Sequence, residues 1–224
     1  MKIVRTVIVP IVIVLLYATI VHGQDLSKYR DFSLGTTLAS VSKQVDRQPA
    51  EASVIYHQPA LIQELAWRPP HRSGSSSTAE PVQEILFSFY NDALYRVLVT
   101  YDSSAIKGLT DEDMVRVLSA RYGTATRPVA DVNFPTNPSY RATEKVLARW
   151  EDSQYSLNLF RSSWSKTFAI VMFSKQLDAQ AGTSIAESVK LEEQEAPQKA
   201  LALVKKQADD LETERQRNVQ AFRP

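Results

Sequence analysis

The stretch Lys107-Gly-Leu-Thr-Asp-Glu-Asp-Met-Val-Arg-Val-Leu-Ser-Ala-Arg-Tyr-Gly123 organises the chain. Thr110 is placed to cap a helix, and Asp113, three residues on, is an acidic capping-box partner. Asp111, Glu112 and Asp113 set negative charge on the positive end of the helix dipole. Met114, Val117, Leu118 and Tyr122 recur at spacings of three or four and make one apolar stripe. Gly123 ends the helix, with Arg121 in the last turn and Pro128 soon after. No catalytic group is visible in it.

Strand character flanks this helix on both sides. Before it, Val82 to Tyr90 and Leu94 to Tyr101 are rich in Val, Leu, Phe and Tyr, with Asn91-Asp92 as the hairpin turn. After it, a proline-rich connection from Thr124 to Tyr140 leads to three more strands: Thr143–Trp150, Gln154–Arg161 and Thr167–Ser174. Further upstream, Phe32 to Val45 reads as a first helix. Thr36 or Thr37 caps it, Leu38, Val41 and Val45 form its stripe, and Pro49 stops it. Asp25 to Asp31 reads as polar and loose. Ala52 to Trp67, broken by Pro59, gives two short strands or one bent edge strand. Pro69 to Pro81 is a polar loop.

From Ser184 the composition becomes charged, with Ile185, Val189, Leu201, Val204, Ala208 and Leu211 at helical spacing and Pro197 expected to break the run. Three readings of residues 184–222 stand: a solvated helix laid on the domain, an oligomer seam of coiled-coil type, or a disordered tail. Two heptads are few for a coiled coil.

Gly35-x-Thr37-x-x-x-Val41-x-x-x-Val45 matches Gly108-x-Thr110-x-x-x-Met114-x-x-x-Leu118 at an offset of 73. The same offset carries Val82–Tyr101 onto Tyr155–Ser174. The expected fold is therefore α+β. Two helix-plus-three-strand antiparallel meanders, 32–101 and 108–175, form one sheet layer with helices on one face. A charged C-terminal helix follows. Joined edge to edge, two such units cover one exposed edge each.

Gly35, Thr37, Gly108 and Thr110, each leading into an amphipathic helix and then a meander, resemble the small domain of the outer-membrane assembly lipoproteins. The doubled unit is similar to the β-lactamase-inhibitor proteins. The resemblance spans roughly Phe32 to Lys175 and implies an extracytoplasmic protein-binding module with no catalytic residue to carry over. The chain departs from both groups in having no cysteine, hence neither a lipid-anchor cysteine nor disulfides.

The N-terminus points the same way. Lys2 and Arg5 precede sixteen mostly apolar residues, Thr6 to Val21, and Val21-His22-Gly23 offers a cleavage site before Gln24. Residues 1–23 read as a secretory signal peptide. An uncleaved anchor is the alternative, but a span needs about 20 residues and Pro10 interrupts this run. No stable membrane anchor is expected after cleavage, and the mature chain is placed in the periplasm or outside the cell.

Without Lys2 and Arg5, 24 basic and 25 acidic residues remain, a balance that argues against a nucleic-acid binder. His57 and His71, the histidines outside the leader, have no acidic partner at ligand spacing, so no metal is expected. No Gly-x-Ser-x-Gly elbow and no glycine-rich phosphate loop occur. Asp111, Glu112 and Asp113 point in different directions on a helix and serve its dipole. The expectation is a non-enzymatic chain with no cofactor.

The strands carry the remaining signal. Ile85, Phe87 and Phe89 make one face, whereas Leu86, Ser88 and Tyr90 leave the other only half polar. A sheet wet on one side alternates more cleanly. Something covers that second face: the C-terminal helix, a partner protein, or a small apolar ligand. Leu86, Tyr90, Arg96, Leu98, Arg149, Trp150, Arg161 and Trp164 are the candidate interface, being apolar face residues or types favoured at hot spots. Recognition of another macromolecule, a protein, is the leading expectation, with carriage of a small apolar ligand between sheet and helices as the alternative. Oligomerisation through the C-terminal helix is a further expectation.

Overall fold

The computed structural model describes residues 25–70, 81–134, 143–163 and 165–223; the leader and Trp164 lie outside them. In chain order the first half holds β1 (Lys28–Tyr29), β2 (Phe32–Ser33), α1 (Leu38–Gln44), β3 (Ser53–Tyr56), β4 (Ile62–Trp67), β5 (Val82–Tyr90) and β6 (Ala93–Tyr101). Then come α2 (Asp111–Tyr122), β7 (Asp131–Asn133), β8 (Thr143–Glu151), β9 (Tyr155–Arg161), β10 (Phe168–Ser174) and α3 (Lys175–Ala221). β3 to β10 form one eight-stranded antiparallel sheet in the order β3-β4-β5-β6-β10-β9-β8-β7, and β1 and β2 pair separately.

α2 forms where its capping signals predict. Thr110 accepts from the Asp113 amide at 3.1 Å, the Asp113 carboxylate accepts from the Thr110 amide at 3.0 Å, and Gly123 follows the last turn at φ 80°. Met114, Leu118 and Tyr122 are buried, but Val117 is 60% exposed, so the stripe is narrower than its spacing suggests. The hairpin turn also holds: Asn91 and Asp92 take φ 46° and 71°. Their side chains accept from the amides of Leu61 and Leu38, both at 3.0 Å, which ties the turn to the β3–β4 connection and to α1.

Three expectations need correction near the N-terminus and in the strands. Asp25 to Asp31 is not loose: β1 and β2 make a hairpin that buries Leu26, Tyr29 and Phe32, with the Phe32 ring 4.7 Å from that of Phe87. Thr37 caps α1 as expected, accepting from the Ser40 amide at 3.2 Å, but the helix does not reach back to Phe32, because Gly35 at φ 88° turns the chain and donates to the Leu94 carbonyl at 2.7 Å. The sheet has eight strands and not six, because β3 and β4 are separate strands and β7 lies inside the proline-rich connection.

α1 and α2 cover one face of the sheet. Leu38, Val41, Met114, Leu118 and Tyr122 pack there on Ile85, Phe87, Val97, Val99, Leu157, Ile170 and Met172. α1 and α2 thus share a face as expected, and α3 lies on the other, where the C-terminal helix is one of the three candidate covers. Leu177, Ala181, Ile185 and Val189 of α3 join Tyr56, Ile62, Tyr90 and Tyr95 there. Alternation along β10 explains how both faces fill: Phe168, Ile170 and Met172 go to the first, and Ala169 and Val171 to the second.

α3 also differs from expectation at its start and middle. It begins at Lys175 with no loop, since Ser174 ends β10 and caps the helix by accepting from the Leu177 amide at 3.4 Å. It runs unbroken through Pro197 for 47 residues. No helix among the described residues is long and apolar enough to cross a membrane.

Candidate functional site

The second face of the sheet is built around the β5–β6 hairpin. Leu86 pairs with Leu98 and Ser88 with Arg96, and a bulge before Phe89 adds Tyr95 to β6. The bulge lets two consecutive residues, Tyr95 and Arg96, serve the α3 side. Leu86, Leu98 and Tyr90 are half-buried, and Arg96 is buried.

Arg96 clasps α3 to the sheet. Its Nε donates to Asp178 Oδ1 at 2.9 Å, its Nη2 to the same oxygen at 2.5 Å, and its Nη1 to the Asn133 carbonyl at 3.1 Å. The guanidinium lies over the rings of Tyr95, Phe134 and Phe173 at 5.7–5.8 Å. A charge this deep needs both an anion and hydrogen-bond partners, and it has them. Burial pushes the neighbouring Tyr95 phenol above its ordinary value.

Beside this clasp an open pocket of about 260 Å³ is lined by Arg96, Asp131, Asn133, Arg149, Asp178 and Gly182, with Val132 and Phe173. Arg149 Nε donates to Asn158 Oδ1 at 2.6 Å, and the fully buried Asn158 amide donates to Ser156 Oγ at 3.1 Å. A second concavity, of about 320 Å³, is lined by Glu64, Ala66 and Leu86 and by Arg47 and Glu51 at the edge. Among the described residues no three or more His, Cys, Asp or Glu converge as a metal site would require.

The structure thus brings Leu86, Tyr90, Arg96, Leu98 and Arg149 onto one face. Trp150 sits in the core under α1 and α2, 2% exposed, and its Nε1 donates to the Gly123 carbonyl at 2.9 Å. Arg161 lies on that same side, over the Phe168 ring at 4.0 Å, with Nη2 2.7 Å from Asp111 at the start of α2. Asp178, Asn158 and Gly182 escaped sequence reasoning. Asn158 alone left a signal there, as an amide inside the apolar run Leu157-Asn-Leu-Phe160.

α3 leaves the body after Val189. Every described residue from Lys190 to Arg223 is exposed, including Leu201 at 72%, Val204 at 63% and Leu211 at 69%. Of the stripe read from the sequence, Ile185 and Val189 therefore lie on the sheet while Leu201, Val204 and Leu211 point into solvent, and residues 177–189 do the covering. Comparisons with protein-family models, with curated proteins and with solved structures find nothing that this chain matches.

Proposed function

We propose that this chain is an extracytoplasmic, non-enzymatic module that binds another macromolecule, a protein, chiefly through the free part of α3. One observation carries the proposal: a run of 34 exposed residues, almost all helical, that keeps large apolar side chains in water. A lone helix in water draws most of its stability from packing, and an unpacked one is marginal. A partner that buries Leu201, Val204 and Leu211 supplies what the body does not. Those three recur at spacings of three and seven, the spacing of a helix-to-helix seam, so a second helix is the fitting partner.

The order of elements supports a tandem architecture: α1 with β3–β6, then α2 with β7–β10, meeting at β6 and β10. On this proposal the two halves are copies of one unit, as in the β-lactamase-inhibitor proteins that the doubled Gly-x-Thr helix starts resemble. Export rests on residues 1–23 alone. The carrier alternative draws no support from the two concavities described, since charged side chains line both.

The test is capture of a partner from the native extracytoplasmic compartment with the wild type and with Leu201→Ser/Val204→Ser/Leu211→Ser. The variant should keep the wild-type melting temperature, because these side chains are exposed, and lose the partner. Unchanged capture overturns the proposal.

A further inference from the structure

We infer that the pocket between α3, β7 and β8 is a specificity pocket for one acidic side chain of the bound protein. Arg149 carries the inference. It is half-buried, its Nε is fixed by Asn158, and Asn158 is itself fixed by Ser156. Asn158 and Ser156 are both neutral, and Arg149 has no ion pair among the described residues. A partly desolvated guanidinium normally finds an anion, and this one keeps its two Nη groups for it. The fork they make suits a carboxylate.

A second observation is independent of the first. Gly182 stands inside α3, where glycine is less favourable than alanine. A Cβ built there meets nothing within 4 Å, so packing within the protein does not require the glycine. Its missing side chain is instead part of the pocket's open volume. Arg96, at the same site, is already neutralised by Asp178, which leaves Arg149 as the charge on offer.

Size narrows the ligand class. About 260 Å³ is below the range of roughly 300–1,000 Å³ that whole small-molecule ligands occupy, and fits one side chain of a larger partner. The carboxylate of that side chain goes to Arg149.

The inference rests on the protein-binding proposal, and its test is separate from that one. The full chain, labelled with ¹⁵N, is titrated with N-acetylglutamate N-methylamide while the Arg149 Nε–H and Asn158 Nδ2 signals are followed. A saturable shift is expected, at least tenfold weaker with the neutral glutamine analogue. Arg149→Gln, followed at Asn158, should weaken binding at least tenfold, and Gly182→Leu should abolish it by filling the pocket. Gly182→Ala, a milder variant for the case that leucine disrupts the fold, should raise the melting temperature and weaken binding. Absence of saturation, equal binding of the glutamine analogue, or wild-type affinity in Arg149→Gln overturns the pocket. Partner capture through α3 that persists in Arg149→Gln would then leave the wider proposal standing.

Discussion

Two residues show how local chemistry sets these elements. The reciprocal Thr110–Asp113 box starts α2, and hydrogen bonds from the Thr110 amide and hydroxyl hold the Asp113 carboxyl below the usual carboxylate range. Thr110→Ala should lower unfolding free energy by about 1 kcal/mol, as cap removal does elsewhere. A group with a depressed folded value contributes stability above its unfolded value and loses it as pH falls through the folded one. The gap between wild type and Asp113→Asn, followed by thermal melts, should therefore close in acid and be widest near neutrality. Arg96 is the opposite case, a charge set by tertiary placement. Asp178→Ala should cost about 3 kcal/mol in denaturant titrations, because it strips the anion from a buried cation. Replacing Arg96 and Asp178 together by Met and Leu should cost less than that single change. The box was legible from spacing alone. The clasp was not, because its partners lie 82 positions apart in the chain.

At the scale of elements, the strands read most clearly. Val82–Tyr90, Thr143–Trp150 and Thr167–Ser174 fall within a residue of β5, β8 and β10, since apolar runs between turn residues leave little choice. α3 misled at both ends. Residues 175–183, Lys-Gln-Leu-Asp-Ala-Gln-Ala-Gly-Thr, hold one large apolar side chain and show no helical stripe, yet they continue β10 as helix. Small residues serve there because the helix lies close on the sheet, with Ala181 1% and Ser188 2% exposed. The strong apolar spacing of Leu201 to Leu211 belongs to the exposed part. Truncation after Val189 should thus leave the melting temperature within a few degrees of wild type. Truncation after Ser174 should lower it steeply by uncovering Tyr95, Ile62 and Tyr56.

At the scale of the molecule, β6 and β10 join the halves. Their register runs from Ala169↔Thr100 to Phe173↔Arg96, so each half lacks the partner for its last strand when alone. An open strand edge flanked by apolar side chains invites aggregation. Residues 25–106 and 107–224, expressed separately, should fail to give dispersed native-like spectra, and co-expression should restore a folded complex. Two independently folded fragments would contradict this. α3 adds a second bond between the halves: it grows from β10 and lies across β6, β4 and β3.

α3 is also a lever. It is rooted at Lys175 directly on a central strand and touches the body again at Ser188, whose hydroxyl donates to the Gln58 carbonyl beyond β3. At 1.5 Å per residue that support lies about 20 Å from the root, and the end of the helix about 69 Å from it. A shift of about 1 Å at Ser188 therefore becomes roughly 3.5 Å at Ala221 if the rod stays straight. Small rearrangements under the proximal third, around Tyr56 and Tyr95, are magnified into displacements that a molecule gripping the far end would feel as a pull.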